Sequence, residues 1–267
     1  MSAALLTAYA VGGGIPPATY EALRVHEDGV VRAVVGNAWP FGAPQDEAGS
    51  YEHRLEDGEL AALAAVLSDP ALGEASSRPE ELTADAGRCQ LRLGDDRDVV
   101  WSASAPAPEP LGPVVERLRA VLAAARRHPA GAVALALEAP ATAGAGEALP
   151  LGITLRNPGR EPVALAQPGD AGRLRARVRR VEGEVGGRPD LEALVAAEPV
   201  ALPPGAIPAG LPGGSEQTIA GEVALAAPGR WRVDVLARLD ADLPYEGETV
   251  RLECVMLAGP VVVTVGA

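Results

Sequence analysis

The order of apolar and polar positions divides the chain into a first part with strands and helices and a second part with strands alone. In the first part, period-two alternation predicts strands and apolar residues at helical spacing predict two helices. The predicted strands span residues 5–11, 20–26, 30–35, 51–55, 89–93 and 98–102. The apolar positions of the two helices are Leu60, Leu63, Ala64 and Leu67, and then Val114, Val115, Leu118, Val121 and Leu122. Residues 1–130 are therefore predicted to form an α+β domain, an antiparallel sheet with two helices.

Short strands punctuated by Gly and Pro follow from residue 131 to residue 267. They are predicted at 132–138, 149–156, 162–167, 173–181, 217–225, 230–239, 248–257 and 260–265. Seven or eight such strands without helices between them are typical of an all-β immunoglobulin-like sandwich. The exceptions are residues 189–197, where one or two helical turns are expected, and the long loop 202–215.

Length and charge narrow the classes of function. A chain of 267 residues exceeds the usual size of one domain, which agrees with two folded domains. The net charge is −13, and both halves are acidic, so nucleic acid is not expected as a partner. All 23 basic residues are Arg, a bias that GC-rich codons produce and that we do not interpret as function.

The start of the chain and the lengths of its apolar stretches predict a cytoplasmic location. No basic segment precedes the first apolar run, which breaks at Gly12-Gly13-Gly14, and no apolar stretch approaches the length of a membrane span. Cys89 and Cys254 lie in alternating apolar segments of different halves. Two buried free thiols are expected, with a disulfide bond as the alternative.

The residues that carry catalysis are scarce and scattered. His26, His53 and His128 lie far apart in sequence, no Gly-x-Ser-x-Gly turn accompanies them, and a structural role is expected for each. Neither CxxC nor HxxxH spacing occurs, so no metal and no cofactor are expected. The carboxylates of residues 95–98 are interpreted as a solvated hairpin turn. We expect no enzyme, although a deep pocket holding His26 or His53 beside a carboxylate would indicate one.

The loop 36–49 concentrates large aromatic side chains in a chain that is only 3% aromatic. It contains Trp39 and Phe41, with Pro40 and Pro44 beside them. Aromatic anchors held by prolines are typical of preorganised binding loops, so these four residues are candidates for contact with a partner. The alternative is that Trp39 and Phe41 fold back onto the core of the first domain.

The loop 202–215 is long for a connection in a sandwich, and its sizeable apolar groups are Ile207 and Leu211. Long loops are either functional or mobile. A mobile connection is expected here. The alternative is a binding loop, in which Ile207 and Leu211 would be the partner contacts.

The N-terminal half resembles the emfourin family, small inhibitors of thermolysin-type proteases. The matching residues are Gly13-Gly14, Asp28-Gly29, Leu55, Glu59, Leu60 and Leu63. They cover a strand, a Gly-Gly turn, an Asp-Gly turn and the start of a helix within residues 5–70. The resemblance implies an inhibitory function, and the long loop 36–49 and the second hairpin depart from it.

The C-terminal half resembles immunoglobulin-like sandwiches, among them the intracellular proteinase inhibitors of the BsuPI type. The residues that carry this resemblance are 155–163 (Leu-Arg-Asn-Pro-Gly-Arg-Glu-Pro-Val) and 228–235 (Pro-Gly-Arg-Trp-Arg-Val-Asp-Val). Such sandwiches host many unrelated binding functions, so the resemblance concerns the architecture first.

Two functions remain open from the sequence. The first is a non-enzymatic protein-binding module, in its specific form a cytoplasmic protease inhibitor. The second is a structural or assembly subunit of a larger complex, which would dock through exposed sheet edges and apolar loops. The sequence does not determine the oligomeric state.

Overall fold

The computed structural model describes residues 4–13, 19–36, 47–78, 87–94, 97–166, 174–181, 198–225 and 227–266. The fold is rich in β-structure, and the described residues contain two α-helices. The chain divides into two compact units. Unit 1 comprises Met1–Gly42, Gly49–Ala130 and Pro244–Glu248, and unit 2 comprises Ala43–Ala48, Gly131–Leu243 and Thr249–Ala267.

Unit 1 contains six strands in one antiparallel sheet, in the order β4, β3, β2, β1, β5, β6. The strands are β1 (Leu5–Gly13), β2 (Thr19–His26), β3 (Val30–Val35), β4 (Glu47–Arg54, counted with unit 1 from Gly49), β5 (Arg88–Leu93) and β6 (Arg97–Ser102). The helices are α1 (Asp57–Leu67) and α2 (Gly112–Ala125), with a 3₁₀ helix at Pro70–Glu74.

Helix α2 buries the apolar stripe that the sequence predicts. Val114, Val115, Leu118, Val121 and Leu122 are all buried, and they join the sheet side chains in the core of unit 1. Helix α1 buries Leu63 alone, while Leu60 and Leu67 pack against the same core at its margin. The carboxylate of Glu59 accepts a hydrogen bond from the backbone N–H of Glu56 at 3.1 Å, which satisfies a donor at the start of α1.

Strand β4 begins at Glu47, four residues before the predicted start. Gly49 pairs with Val35 and Ser50 with Val34, so the strand enters the predicted loop 36–49. Ala48, Gly49 and Ser50 are buried. Small residues buried in succession produce no apolar–polar alternation, which is why the pattern missed this part of the strand.

Unit 2 contains the remaining strands. They are β7 (Pro129–Glu138), β8 (Thr142–Ala143), β9 (Ala148–Arg156), β10 (Val163–Ala166), β11 (Leu174–Arg180), β12 (Glu198–Pro199), β13 (Gly210–Leu211), β14 (Glu216–Ala224), β15 (Gly229–Tyr245) and β16 (Glu248–Val265). One group has the order β14, β9, β7, and the other has the order β12, β11, β15, β10, β13, with β16 beside β15 and β8. The pairs β10–β13, β10–β15, β11–β12, β11–β15, β9–β14 and β7–β9 are antiparallel, and the short pair β8–β16 is parallel.

The prediction of two separate strands at 248–257 and 260–265 was wrong, because these residues form the single strand β16. Gly259 was interpreted as a break, but at φ 108° it continues the strand. A Cβ atom there would lie 2.9 Å from the carbonyl oxygen of Val233, so the close approach of β15 requires a glycine. The helical turns predicted at 189–197 lie outside the described residues.

The core of unit 2 depends on the odd-numbered positions of β15. Val233, Val235, Ala237, Leu239 and Ala241 are buried with at most 1% of their surface exposed. Cys89 and Cys254 are both free and buried, which confirms that prediction. Within the described part of the chain, no helix combines the length and apolar character that crossing a membrane requires.

Candidate functional site

The candidate binding residues of the sequence fall into two groups. Trp39, Pro40, Phe41 and Pro44 lie outside the described residues. Ile207 and Leu211 are 5% and 2% exposed, and Leu211 pairs with Val163 as part of β13. The loop 202–215 thus contributes two side chains to the interior of unit 2, whereas the sequence led us to expect a mobile connection. Since buried side chains offer a partner no contact area, we build no binding surface on Ile207 and Leu211, and partner binding by them stays an untested prediction.

The three histidines occupy two places in unit 1. The rings of His53 and His128 stack with centroids 4.6 Å apart and planes 10° apart. His26 lies beside a carboxylate: its Nε2 is 3.0 Å from Oε1 of Glu246, and Arg24 pairs with the other oxygen. The His26 side chain is 9% exposed, and the Arg24 guanidinium already engages the same carboxylate. A general base needs an open path to a substrate proton, and the His26 side chain is largely enclosed, with Nε2 beside Glu246.

A second polar cluster lies inside unit 1. The Tyr9 hydroxyl is 3.9 Å from the sulfur of Cys89, and both residues are buried. Burial raises the pKa of Tyr9 to about 12 and also raises the pKa of the Cys89 thiol, although the nearby Arg119 guanidinium acts in the opposite direction. Burial raises the pKa of Glu21 as well. A nucleophilic cysteine requires a lowered pKa, and burial shifts the pKa of the Cys89 thiol in the opposite direction.

The pKa of Tyr9 predicts loss of stability in alkaline solution. The hydroxyl ionises near pH 10.0 when exposed and near pH 12 when folded, so the folded chain holds the proton more tightly. The stabilisation is complete below about pH 10 and is lost as the pH rises through about 12, at roughly 1.4 kcal/mol per pH unit. Urea denaturation between about pH 9 and 11.5 measures this slope. Tyr9→Phe should have a shallower slope, and equal slopes for the two proteins would contradict the assignment.

A groove of about 520 Å³ lies at the C-terminal end of α1 in unit 1. Its lining includes the apolar side chains of Leu6, Leu67 and Leu72 and two charged residues, Asp69 and Arg97. Asp69 accepts a hydrogen bond from the backbone of Ala71, and Arg97 donates to the carbonyl oxygens of Leu72 and Ala75. Ser68 also lines the groove, and its hydroxyl donates to the carbonyl oxygen of Ala64 at 2.7 Å. Among the described residues, these three polar side chains of the groove therefore bond to the backbone.

Strand β14 forms an edge of the group β14, β9, β7 in unit 2. Its nine residues pair with β9 without interruption, from Glu216 opposite Arg156 to Ala224 opposite Ala148. Ile219, Gly221 and Val223 face the interior, and the remaining residues of the strand are exposed. The result is a long, regular strand with one side paired.

The outer side of β14 is bonded at one position. The backbone N–H and C=O of Glu222 both bond to Ala201, each at 3.1 Å, so the even-numbered residues of β14 direct their backbone groups away from β9. Continued pairing would place Pro203 opposite Ala220. A proline has no N–H to donate, and the pairing ends there.

The backbone groups of Thr218 and Ala220 are therefore left open on this edge. Within the described part of the chain, no hydrogen bond reaches their outward N–H and C=O groups. We call residues 216–220 of β14 the open edge. Such an edge is a template for a further strand, and natural proteins usually cover or interrupt it.

The edge strand of unit 1 shows the usual protection. On β6, the N–H of Val100 donates to the Ser77 hydroxyl at 3.0 Å, and its C=O accepts the N–H of Arg78 at 2.8 Å. Residues 77–78 thus occupy the position that a further strand would take. The comparison shows that the open edge is a property of β14 and not of every sheet end in this chain.

Chemistry based on a metal finds no support within the described residues, where no group of three or more His, Cys, Asp or Glu side chains is placed to hold an ion. No protein-family model matches the chain, and neither a curated protein nor a solved structure shows significant similarity to it. The functional argument therefore depends on the geometry of the chain itself.

Proposed function

We propose that this chain is a non-enzymatic protein-binding module that takes up an extended segment of a partner protein along the open edge of β14. The observation that carries the proposal is the pair of outward backbone groups at Thr218 and Ala220, which the described chain leaves without partners. Main-chain hydrogen bonds provide affinity in this mode of recognition, and alternate side chains provide specificity. Glu216, Thr218 and Ala220 are exposed along this edge. Because the partner segment pairs through its main-chain N–H and C=O groups, it is extended and free of proline.

The architecture that supports this function is an α+β domain followed by an immunoglobulin-like sandwich. The buried Asn157 supports the second assignment, because it holds the turn of the resembling segment 155–163. Its Nδ2 donates to the carbonyl oxygens of Glu161 and Leu211, at 2.7 and 3.1 Å. Its Oδ1 accepts the N–H groups of Ala132 and Gly159, at 3.1 and 2.9 Å. Two free thiols are compatible with the proposed cytoplasmic location.

Protease inhibition is the specific form of the proposal and is supported by the two resemblances. The described residues that carry the first resemblance have structural functions: Gly29 occupies a turn at φ 80°, and Leu55 and Leu63 are buried. Their positions support a shared fold more directly than a shared target. An activity assay with a thermolysin-like protease tests the target class, and absence of inhibition at micromolar concentration would leave the general binding function.

The assembly function uses the same edge and differs in stoichiometry. A subunit of a complex would be recovered with a stable partner at a fixed ratio, whereas a regulatory binder would exchange. Analytical ultracentrifugation of the purified chain, alone and with a recovered partner, distinguishes the two.

Replacing Ala220 by proline should weaken partner binding while leaving the fold intact. The N–H of Ala220 points away from β9, so the substitution removes no bond of the sheet and should change stability by about 1 kcal/mol or less. The partner segment loses one hydrogen bond and meets the proline ring, and binding should weaken at least about tenfold. Isothermal titration calorimetry with the partner recovered from native cells measures the change.

Ala220→Ser is the matched control, because it alters the side chain and keeps the N–H. Hydrogen exchange supplies a second readout. In the free chain, the amides of Ile219 and Gly221 should be protected and those of Thr218 and Ala220 should exchange fast, because successive amides face opposite sides of the strand. In the complex, all four should be protected. A partner that binds the proline variant with unchanged affinity would overturn the proposal.

A further inference from the structure

Four charged side chains lie close together on one face of the sheet in unit 2. Arg177 and Arg179 of β11 stand directly opposite Asp234 and Arg232 of β15. Directly opposed residues of an antiparallel pair point to the same face, and residues two apart on a strand do too. The four Cα atoms therefore mark the corners of a rectangle of roughly 5 by 7 Å. We call this group the arginine cluster.

Within the cluster, Arg232 and Asp234 already satisfy each other. Nε and Nη2 of Arg232 donate to the two carboxylate oxygens at 2.7 and 2.8 Å, and the two side chains are 1% and 0% exposed. This fork-to-fork pair engages both oxygens of Asp234. The carboxylate therefore has little capacity left for the guanidinium groups across the strand.

Among the described residues, no ion pair is formed by Arg177 or Arg179. Nη1 of Arg177 and Nε of Arg179 are buried nitrogen atoms with no hydrogen-bond partner among the described residues. A buried guanidinium donor without a partner has lost its hydrogen bonds to water and forms none within the protein. The free-energy cost is larger than for a neutral donor because the group is charged. Such atoms in a folded protein indicate a bound water or ion.

The net charge of the cluster indicates which kind of ion would bind there. Three guanidinium groups and one carboxylate leave two positive charges, in a chain whose net charge is −13. A carboxylate ligand would neutralise one of them, whereas a phosphate group carries a charge of about −1.5 to −2 at pH 7 and three or more acceptor oxygens. Arginine forks match the geometry of phosphate oxygens.

We propose that the arginine cluster binds a phosphate-type oxyanion, with Arg177 and Arg179 as the residues that contact it and Asp234 as the group that holds Arg232 in place. The side chains of Arg177 and Arg179 are each partly exposed, and their two unpartnered nitrogen atoms are buried. The site lies on β11 and β15 and shares no residue with the open edge of β14. Failure of one proposal therefore leaves the other standing.

The test is a titration of the full chain with inorganic phosphate and with phenyl phosphate, at constant ionic strength set with chloride. Saturable heat is expected for the wild type and should be lost in the Arg177→Gln/Arg179→Gln variant. Arg251→Gln is the matched control. It removes one positive charge, half of what the double variant removes, from an arginine that is already paired, with Nε 2.7 Å from Asp242, so phosphate binding should persist.

A second measurement keeps the test decisive if calorimetric heats are small. At a phosphate concentration ten times the dissociation constant, the unfolding equilibrium constant of the wild type should fall about elevenfold. The double glutamine variant should show no such change and, in phosphate-free buffer, should be at least as stable as the wild type because charge repulsion is relieved. If the double variant does not fold, Arg177→Lys keeps the charge, loses the fork and should bind at least about tenfold more weakly.

The affinities for the two ligands, compared with each other, indicate the source of the phosphate group. Tighter binding of phenyl phosphate indicates a phosphate monoester, and tighter binding of inorganic phosphate indicates the free ion. Absence of saturable binding by both at roughly 10 mM, ten times a millimolar dissociation constant, would refute the proposal. Equal binding by the wild type and the double glutamine variant would also refute it.

Discussion

Replacing Asp234 by alanine is expected to lower the free energy of unfolding by about 3–5 kcal/mol. The carboxylate is fully buried and neutralises Arg232, which is 1% exposed. Without it, Arg232 stays inside opposite two further arginines of β11 and loses the carboxylate that Nε and Nη2 bond. Removal of one partner from a buried pair costs far more than the pair contributes, because the remaining charge has lost its water.

Asp242→Ala is the control for this prediction. Asp242 forms the same two-pronged pair, with Arg251, at 2.7 and 2.8 Å, but Arg251 is 65% exposed. Solvent screens this pair, so the variant should lose at most about 1 kcal/mol. The Arg232→Met/Asp234→Leu double variant should recover much of the stability that Asp234→Ala loses. Urea denaturation measures all three, and similar losses for Asp234→Ala and Asp242→Ala would contradict the buried pair.

Replacing Trp101 by alanine is expected to lower the free energy of unfolding of unit 1 by about 3–5 kcal/mol. Trp101 lies on β6, is 2% exposed and belongs to the core that α2 covers. Its ring centroid lies 6.4 Å from that of Tyr9 at an angle of 33°, within the range of favourable aromatic pairs. Truncation to alanine removes the apolar area and this contact and leaves a cavity among rigid neighbours.

Trp101→Phe separates these contributions, because it keeps an aromatic ring and part of the volume. It should cost clearly less than the alanine substitution. The two units need not unfold together, so hydrogen exchange at amides of each unit should accompany the denaturation curve. We expect faster exchange in unit 1 with little change in unit 2. A loss below about 1 kcal/mol for Trp101→Ala would show that the site relaxes or that the ring is not enclosed.

The two proposals share a physical origin in the long strands of unit 2. Strand β14 pairs along nine residues with one neighbour, and β15 carries apolar residues on one face and charged residues on the other. Long regular strands supply both an edge and a flat face, the first for backbone recognition and the second for an array of side chains. Pro203 lies beside the edge of β14, and arginine side chains are concentrated on the charged face that β15 shares with β11. These residues make each surface specific.

Much of the secondary structure could be predicted because burial follows local periodicity in this chain. The stripe Val114, Val115, Leu118, Val121 and Leu122 predicted α2, and alternation predicted most strands of both units. The alternation of apolar and polar residues did not reveal the strand where the side chains are small, as at Ala48-Gly49-Ser50. It also failed where a glycine lies inside a strand, as at Gly259. The binding residues placed on Trp39, Pro40, Phe41 and Pro44 remain predictions, since they lie outside the described residues.

The sequence by itself determined the β-rich class, the two helices, the free thiols and the small number of histidines and cysteines. These properties depend on residue type and on spacing within a few positions. Only the tertiary structure decided which edge is open, that Ile207 and Leu211 are buried, and that Arg177 and Arg179 face Arg232 and Asp234. Those facts depend on which strands pair and in what register, and strand pairing joins residues far apart in the chain whose contacts no local pattern records.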